Sequence, residues 1–579
     1  MFVTDILARC QALQSRFALL AAAMLVLAAC DQADRVPTAP QARAAPQVAP
    51  DLVVTGSKFR RPDEDKLVAL AKEIPGFAGY YVDDQRNIIA YVTDTTRSAQ
   101  AARTALLRHL STDNLGLPAK LRTGRIVIRK GEYSFQELSD WRDLATEQVL
   151  GTITGVVYDD LDEARNRVTI GVLKTNAEGI ESAVTVRLTA LGVPGKALNF
   201  ELTDPVVPLA ALPGGSLFHS NGGFFTSATY LNSGTDTLAA GFEVDNISLS
   251  VACSIGMVLD RNSTRYVSVA SHCTSTPFGA DPTDQWYQGS SFIGNEAWDT
   301  TASPRHSDLA LIGVPSTVPS IRGAIARSTP RDSGMSASRA IDTSSPFVYL
   351  FAASTTPVTG LEVDKEGRTT GRTHGTITNT CTDQTVDGHT VLCEIKTSVW
   401  SGQGDSGSSL WAWDGVDGAT LYGVAGSLVV TGHQDYIDGQ WVTTGGTSWF
   451  ASYGGFISDI GSSGIAVTTG TTVGSFSISG SVSSGSPVVS WSPPTVTNTT
   501  SSDTYYYVYR ATQVLGGSSE PEELIDGHYG GTTYLDLNET VTSYNGTANP
   551  GPHYSWVSYR VVAYNRGVTS GSQTIYFKM

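Results

Sequence analysis

The sequence predicts a multi-domain protein built mainly from β-sheet. Its 579 residues exceed what one hydrophobic core supports, and this length favours about three or four domains. Helical periodicity is concentrated in residues 57–210. From residue 211 onward, short β-branched runs alternate with Gly/Ser/Asp turns, and glycine supplies 58 residues, above its average usage of roughly 7%.

The first thirty residues have the layout of an export signal. Arg9 and Arg16 precede an apolar run from Phe17 to Ala29, which is too short for a confident membrane-spanning helix. The run ends in "LAAC", which resembles the bacterial lipobox and implies lipidation of Cys30. The alternative is an ordinary signal peptide in which Cys30 falls at this place by chance. Residues 31–56, rich in Ala, Pro, Gln and Asp, are predicted to be a flexible tether.

Cysteine usage also indicates export. Cys10 lies inside the signal, and Cys30 would carry the lipid. An even number of cysteines in the rest of an exported chain predicts disulfides, and four cysteines allow three pairings. These four are Cys253, Cys273, Cys381 and Cys393. Neither a Cys-x-x-Cys pair nor a His/Cys cluster indicates a metal site, and no cofactor is predicted.

Charge narrows the classes of partner. The net charge is −16 and the isoelectric point is near 5.0, which argues against nucleic acid or an anionic membrane surface as the main partner. Beyond the signal, no segment is long and apolar enough to span a bilayer. We therefore expect an exported protein, held at the cell envelope through lipidated Cys30 or released outside the cell after processing.

Residues 57–210 are predicted to form an α+β domain. Apolar residues at helical spacing predict its first helices, and Ser134 with Glu137 forms a capping box that opens another. The runs "TITGVVYDD" and "RNRVTIGVL" are separated by a short polar stretch and predict a β-hairpin. The other predicted elements are helices over 63–74, 98–110 and about 178–191, and a strand around 197–202.

Residues 211–460 are predicted to be all-β. Runs such as "RYVSVAS", "DLALIGV" and "LYGVAGSLVV" favour a sandwich or a pair of barrels. Residues 461–473 are predicted to be a linker. Residues 474–579 contain "PVVSWSPP", "TYYYVYRAT" and "SYRVVAYN", and they resemble a fibronectin type III β-sandwich with Trp491 in the core and Tyr559 near the tyrosine-corner position. This domain is expected either to bind substrate or a surface polymer, or to act as a spacer.

Three short motifs supply the parts of a nucleophilic serine site. "RYVSVASHCTS" puts His272 at the end of an apolar strand, "HSDLALIGV" puts Asp308 at the start of another, and "SGQGDSGSSL" puts Ser406 in a glycine-flanked turn. A serine hydroxyl needs a general base, a group that orients the base, and donors for the oxyanion. The motifs predict this chemistry, with Asp299 as a nearby competitor for the role of Asp308.

The order His272, Asp308, Ser406 resembles that of the chymotrypsin-fold serine endopeptidases, and particularly the bacterial branch around α-lytic protease and the streptogrisins. "CSIGMVLDRNSTRYVSVASHCT" is similar to that branch's Cys-Ser-x-Gly … His-Cys-Thr pattern, and "GRTTGRTHGTIT" resembles another of its signatures. The resemblance implies a chymotrypsin-like double β-barrel over residues 211–460 and a hydrolase acting on protein or peptide substrates.

The resemblance also implies a role for each motif residue. Ser406 would attack the scissile carbonyl and form an acyl-enzyme, His272 would carry the proton, and Asp308 would orient the imidazole. The backbone N–H groups of Gly404 and Ser406 would form the oxyanion hole. An alternative function, a catalytically inactive protease-fold lipoprotein, would use the same fold as a surface binding or adhesion module.

Several structural residues follow from the same resemblance. One disulfide is implied, Cys253–Cys273 at the histidine loop. Cys381 and Cys393 depart from the family pattern, and their spacing of twelve residues is consistent with a bridge across a nearby hairpin. Asp405 is expected to be buried and to need a cationic partner, since an unpaired buried charge is costly. Lys365 stands where the bacterial branch has an arginine, and it is the candidate partner.

The specificity region departs from the family. Trp400, six residues before Ser406, stands at the pocket-floor position without an acidic group, so a trypsin-like preference for Lys or Arg is not expected. Gly402 stands near the place of a pocket-wall cysteine. Ser408 replaces a glycine, and Ser271 replaces a small residue before the histidine. The segment expected to pair with substrate backbone is Ala425, Gly426, Ser427 and Leu428.

Residues 57–210 resemble the pro-domain of that bacterial branch, especially in "GVVYDDLDEARNRVTIGV". The resemblance implies a zymogen whose own pro-domain assists the folding of a non-local β topology and inhibits the product. An unrelated α+β domain is the alternative. Cleavage is expected somewhere in residues 205–250.

Overall fold

The structure is a computed structural model that describes most of the chain from residue 58 onward. The described residues are 58–112, 114–118, 121–122, 124–208, 212–213, 237–328, 339–342, 346–386, 388–414, 418–429, 433–437, 440–470, 472–497, 504–515, 522–529, 531–551, 554–565, 568–570 and 572–579. The predicted signal, the lipidation of Cys30 and the tether lie outside these residues and stay predictions. Within the described ranges, no helix is both long and apolar enough to cross a membrane.

The N-terminal region begins with a small α/β unit. Its elements are α1 (Asp65–Glu73), β1 (Phe77–Val82), β2 (Ile88–Val92), α2 (Thr95–Thr112) and β3 (Ile126–Lys130). The two predicted helices are present, and Leu67 and Leu70 bury the apolar face of α1. Strands β1 and β2 pair antiparallel, and β2 and β3 pair parallel.

A second α/β unit follows. Its elements are α3 (Phe135–Gln148), β4 (Val156–Asp162), β5 (Arg167–Leu173), α4 (Ala177–Ala190) and β6 (Leu198–Thr203). The predicted capping box opens α3, with Glu137 N donating to Ser134 Oγ and Ser134 N donating to the Glu137 carboxylate. Strands β4 and β5 form the predicted antiparallel hairpin, and α4 crosses over to place β6 parallel to β5.

The middle region is almost entirely β. Its first strands are β7 (Val206–Pro208), β8 (Leu212–Pro213), β9 (Leu238–Ala240), β10 (Glu243–Asn246), β11 (Val251–Ser254), β12 (Val258–Arg261), β13 (Thr264–Ala270), β14 (Gln285–Gln288), β15 (Ser291–Asp299) and β16 (Leu309–Gly313). Strands β8 and β10 to β16 belong to one sheet, in the order β12-β13-β16-β15-β14-β10-β11-β8. Its alternate apolar side chains, among them Val267, Val269 and Ile312, form one core.

The second half of this region supplies another β core. Its elements are β17 (Ser320–Ala326), β18 (Phe347–Ala353), β19 (Glu362–Gly367), β20 (Gly371–Val386), β21 (His389–Thr397), β22 (Ser401–Gly402), β23 (Ser409–Trp413), β24 (Gly418–Val429), β25 (His433–Ile437), β26 (Gln440–Gly445), β27 (Ser448–Ser452), α5 (Tyr453–Ile460) and β28 (Ile465–Ala466). Trp411, Leu421 and Val424 lie in its core. The prediction that residues 211–460 are mostly β is confirmed.

Helix α5 was not predicted, because "SYGGFISDI" reads as a glycine turn. Ser452 caps the helix by accepting a hydrogen bond from Gly455 N at 2.8 Å. Both glycines are required by close packing. A methyl group at Gly454 would lie 1.9 Å from Asp63 Oδ1, and one at Gly455 would lie 2.0 Å from the His306 carbonyl oxygen.

The segment predicted as a linker over 461–473 is in large part integrated into the middle region. Within it, β28 pairs antiparallel with β12, and Val467 is buried in the same core as Trp411. Thr469 N donates a hydrogen bond to the Leu350 carbonyl at 3.1 Å. The Gly/Ser/Thr composition of this segment predicted a linker. The strand β28 was not predicted, because two residues are too few to show the alternation of apolar and polar residues that marks a strand.

The N-terminal region and the middle region share one sheet. Strand β4 pairs antiparallel with β20, and Asp159 lies opposite Asp383. Two facing carboxyl groups are tolerated because Arg61 is buried between the regions and donates to both oxygens of Asp383. Burial raises the pKa of Asp159 well above its ordinary value. Burial also acts on Asp383, but Arg61 outweighs it and lowers the pKa of that carboxyl.

Residues 472–579 form the C-terminal part. Its strands are β29 (Thr472–Val473), β30 (Ile478–Ser483), β31 (Ser486–Trp491), β32 (Val496–Thr497), β33 (Thr504–Gln513), β34 (Glu523–Tyr529), β35 (Thr533–Leu535), β36 (Ser543–Gly546), β37 (Trp556–Asn565), β38 (Val568–Thr569) and β39 (Gln573–Lys578). The sheet β30-β31-β35 and the sheet built on β33-β37-β39 share one core, which includes Trp491 as predicted. Tyr559 differs from a tyrosine corner, because its hydroxyl donates to the Asp536 carboxylate at 2.7 Å rather than to backbone.

Glu163 makes the junction between the regions sensitive to pH. It follows β4 and accepts hydrogen bonds from Thr380 Oγ1 at 2.8 Å and from Thr359 Oγ1 at 3.1 Å. Burial raises the pKa of Glu163 to about 8. Since the folded pKa lies above the unfolded value, the stabilisation is full below the unfolded pKa and is lost as the pH rises towards about 8.

Glu163→Gln should therefore flatten the fall in unfolding free energy between about pH 5 and about pH 8, by up to about 1.4 kcal/mol per pH unit. Urea denaturation of the full-length chain at several pH values measures this. Glu178→Gln, at an exposed position of α4, is the matched control. Equal pH slopes for the two variants would contradict the assignment.

Candidate active site

His272 is held at the end of β13 by a short 3-10 turn, Ser271–Cys273. The turn is tied to β11 by the disulfide Cys253–Cys273, and Asn246 Nδ2 donates to the Cys273 carbonyl at 3.1 Å. This disulfide is the pair that the sequence resemblance implied. The second pair, Cys381–Cys393, which was expected from its twelve-residue spacing, bridges β20 and β21.

Asp308 lies directly before β16, beside His272, because β13 and β16 pair with Ala270 opposite Leu309. His272 Nδ1 lies 2.6 Å from Asp308 Oδ2, and His272 N donates to Asp308 Oδ1 at 3.2 Å. Both side chains are buried. The carboxylate therefore fixes the imidazole with its proton on Nδ1 and leaves Nε2 as the basic atom.

Asp299, the competing acid, serves another purpose. It accepts a hydrogen bond from Ser271 Oγ at 2.6 Å and one from Arg305 Nη2 at 2.9 Å. It supports the turn that carries His272 and does not hydrogen-bond the imidazole. Ser271, which departs from the small residue expected there, is thereby accounted for as the hydroxyl that reaches Asp299.

Ser406 lies in the turn between β22 and β23, with Oγ 2.9 Å from His272 Nε2. Ser254 N of β11 donates to the Ser406 carbonyl at 2.7 Å, and Gly407 N donates to the Ala425 carbonyl of β24 at 2.8 Å. The serine turn is therefore docked between the two halves of the middle region. Asp308, His272 and Ser406 form a continuous chain of hydrogen-bonding atoms.

Two glycines make this turn geometrically feasible. Gly404 has φ +91° and Gly407 has φ +87°, which side chains rarely adopt. A methyl group at Gly407 would also lie 2.2 Å from the Ser254 carbonyl oxygen. Ser254 Oγ donates to the Gly404 carbonyl at 3.0 Å. The GDSG sequence is thus required by backbone conformation and by close packing against β11.

Asp405 anchors the same turn from behind. Its carboxylate accepts hydrogen bonds from Gly402 N at 3.0 Å, from Thr369 N at 2.9 Å and from Thr370 N at 3.2 Å, and it pairs with Lys365 Nζ at 2.7 Å. Burial acts to raise the pKa of Asp405, but Lys365 and the hydrogen bonds outweigh it and hold the pKa below its ordinary value. Lys365, which stands where the bacterial branch has an arginine, thus pairs with Asp405 as expected.

The residues predicted to bind substrate lie beside this turn. Trp400 precedes β22; its ring packs over Gly446 and meets the ring of His433 edge-on at 5.3 Å between centroids. Ala425, Gly426, Ser427 and Leu428 belong to β24. Ser427 Oγ accepts a hydrogen bond from Gln384 Nε2 at 3.0 Å. The side chain of Leu428 is outside the described part of the chain.

The chain's own backbone lies along both strands that flank Ser406, which sequence reasoning did not anticipate. On one side β7 pairs antiparallel with β24, and Pro208 lies opposite Ser427. On the other side β8 pairs antiparallel with β11, and Leu212 lies opposite Ala252. No sequence signal marks these strands, because each spans three residues or fewer.

Among the described residues, no group of three or more His, Cys, Asp or Glu side chains is arranged to hold a metal ion.

No protein-family model matches the chain, and no curated protein matches it. Several solved structures match part of it, and they are bacterial serine proteases of the chymotrypsin fold. A glutamic acid-specific serine protease that uses a histidine triad in substrate binding is 18% identical over 40% of this chain and 100% of its own, with a TM-score of 0.29. Protease A of Thermobifida fusca is 19% identical over 40% and 100%, with a TM-score of 0.29. A chymotrypsin of Cellulomonas bogoriensis is 20% identical over 40% and 99%, with a TM-score of 0.27.

Lys365→Met should destabilise the folded chain by about 3–5 kcal/mol, because it leaves Asp405 buried without a cation. Lys365→Arg should recover most of this loss. Urea denaturation at neutral pH measures the effect, and Lys174→Met, which breaks the exposed pair with Asp204, should cost less than about 1 kcal/mol. A Lys365→Met chain as stable as the Lys174→Met chain would contradict the anchoring role of the pair.

Proposed function

We propose that this protein is a serine endopeptidase made as a zymogen with an intramolecular pro-domain. One observation carries the proposal: the imidazole of His272 lies between a carboxylate and a hydroxyl. Its Nδ1 is 2.6 Å from Asp308 Oδ2, and its Nε2 is 2.9 Å from Ser406 Oγ. A buried acid, an imidazole with a fixed tautomer and a hydroxyl in this order are the parts of a nucleophilic serine.

In the proposed reaction, Ser406 Oγ attacks the scissile carbonyl carbon while His272 Nε2 takes the hydroxyl proton. The backbone N–H groups of Gly404 and Ser406 stabilise the oxyanion, and each such donor is worth about 2.7–4 kcal/mol. Asp308 stabilises the imidazolium that forms. His272 then returns the proton to the leaving amine, which leaves an acyl-enzyme on Ser406. Water activated by His272 hydrolyses that ester and frees the enzyme.

The proposal of a zymogen rests on the two strand pairings beside Ser406. An antiparallel strand along β24 uses the backbone groups that a peptide substrate would use, so the β7–β24 pairing blocks that edge in the intact chain. On the other side of Ser406, the chain pairs again, through β8 with β11. Three residues, 209–211, connect these strands. We therefore propose that the chain cuts one of its own bonds between residues 208 and 212.

The shared sheet also supports assigning residues 57–210 as the pro-domain. Pairing of β4 with β20 and the buried Arg61–Asp383 ion pair fasten this region to the half that carries Ser406. Such a template aids a fold whose strands pair across long sequence separations. Lipidation of Cys30 would tether the intact chain at the cell envelope, and the C-terminal part would bind a substrate or surface polymer or act as a spacer.

For substrate specificity, the proposal only excludes one class of substrate. Trp400 contributes an indole where a trypsin-like pocket has a carboxylate, so the proposed substrates are not those with Lys or Arg before the cleaved bond. The alternative function, an inactive binding lipoprotein, has no observation in its favour, because the three reactive groups are all present and mutually aligned.

The wild-type chain should process itself, and Ser406→Ala should remain full length. N-terminal sequencing of the larger product should find a first residue between 209 and 212. Ser139→Ala, which changes a buried serine on α3, is the matched control and should process normally. Processing by the Ser406→Ala chain alone, or a new terminus well outside this window, would contradict the proposal.

A further inference from the structure

A second acidic side chain lies beside Asp308, and no role in the proposed mechanism uses it. Glu394 belongs to β21 and is completely buried. Neither of its carboxyl oxygens has a hydrogen-bond partner among the described residues. A buried polar group without a partner costs stability, so its presence at this position calls for a functional reason.

The two carboxyl groups meet at Gly426 of β24. A methyl group built on Gly426 would lie 3.2 Å from Asp308 Oδ2 and 3.3 Å from Glu394 Oε1. Both oxygens therefore face the space beside the bare Cα of this glycine. Asp308 Oδ2 is also the atom that contacts His272 Nδ1, so Glu394 adjoins the hydrogen bond that orients the imidazole.

Among the described residues, no cation forms an ion pair with Glu394. Arg305 is the positively charged group that acts on it, and its guanidinium is engaged by the Asp299 carboxylate and by the Ser307 and Leu309 carbonyls. On the neighbouring strand β20, Asp383 is paired with Arg61. Two positions along β21, Lys396 is paired with Glu201 and donates to Tyr158 Oη.

Two adjacent buried carboxyl groups cannot both ionise, so one of them must hold a proton. Asp308 accepts two hydrogen bonds from His272 and is the better stabilised carboxylate. Burial and the neighbouring Asp308 raise the pKa of Glu394 well above its ordinary value. Of the two carboxyl groups, Glu394 is therefore the one that keeps the proton, because it has no hydrogen-bond donor to stabilise its charge.

We propose that Glu394 is a positioning residue for the proposed reaction: as a neutral acid it keeps Asp308 the single negative charge behind His272. When Glu394 ionises, a second charge beside Asp308 repels that carboxylate and disturbs its hydrogen bond to His272 Nδ1. The inference rests on the proposed function, because it assigns an effect on turnover by Ser406. It adds an alkaline limit to the turnover.

Glu394→Gln tests this inference, because the amide has the shape of the neutral acid and does not titrate. In the processed wild-type enzyme, kcat should fall on the alkaline side with KM unchanged. In Glu394→Gln that fall should disappear, leaving about tenfold more kcat than wild type one pH unit above the wild-type midpoint. Glu296→Gln is the matched control, since Glu296 is also a buried acid and burial raises its pKa to about 8, and it should keep the wild-type profile.

The possible results separate this inference from the function it rests on. A wild-type chain that neither processes itself nor reacts with a fluorophosphonate would reject the proposed function. Active enzymes with identical pH profiles for wild type and Glu394→Gln would overturn the role of Glu394 alone. If Glu394→Gln fails to fold, an NMR titration of the wild-type enzyme tests the role instead. The chemical shift of the His272 Nδ1 proton should change once as His272 titrates and again at alkaline pH as Glu394 ionises. A chemical shift that stays constant at alkaline pH would overturn the role.

Discussion

The burial of the Asp308 carboxylate is the constraint around which the candidate site is organised. A charge in this position is tolerable only if nearby donors compensate for lost water, and within the described part of the chain His272 supplies two such hydrogen bonds. The pairing of β13 with β16 brings the two residues together, and the Cys253–Cys273 disulfide holds the turn that carries His272. The serine turn then completes the chain from the other half of the region. Each element that carries a reactive atom is thus fixed by backbone pairing.

A similar logic governs the contact between the N-terminal region and the rest. Strand β4 adds to the sheet that contains β20, which brings Asp159 opposite Asp383, and the buried Arg61 pairs with Asp383. Glu163 and Glu394 show the other solution to buried acidity, in which burial raises the pKa and favours the neutral carboxyl. The molecule thus combines compensated carboxylates with protonated carboxyl groups, and the latter link its stability and the proposed turnover to pH.

Much of the site was predictable from sequence because its parts are local. The motifs around His272, Asp308 and Ser406 each combine a strand end with a turn, and the glycines of GDSG report positive φ directly. Lys365 was predictable only through resemblance, since nothing local marks it as the partner of Asp405. The distinction between Asp308 and Asp299 needed the register of β13 and β16, which no short pattern encodes.

What sequence reasoning missed depends on long-range packing. Helix α5 reads as a turn until Gly454 and Gly455 are seen pressed against other chain segments, and β28 is too short to show a period. Strands β7 and β8 carry no signal of their own, because their role comes from the edges of β24 and β11 that receive them. Nothing in the sequence of β21 distinguishes Glu394. Its proximity to Asp308 is seen only in the folded structure, where both carboxyl groups lie beside Gly426.

The central claim is that the chain builds a reactive serine and covers it with its own backbone. Fluorophosphonate labelling followed by peptide mass spectrometry tests it most directly. The account predicts one label, on Ser406, acquired rapidly by the processed enzyme and far more slowly by a full-length chain made uncleavable between residues 208 and 212. Labelling of a different residue, absence of labelling in the folded processed protein, or equal rates for the two forms would contradict the account.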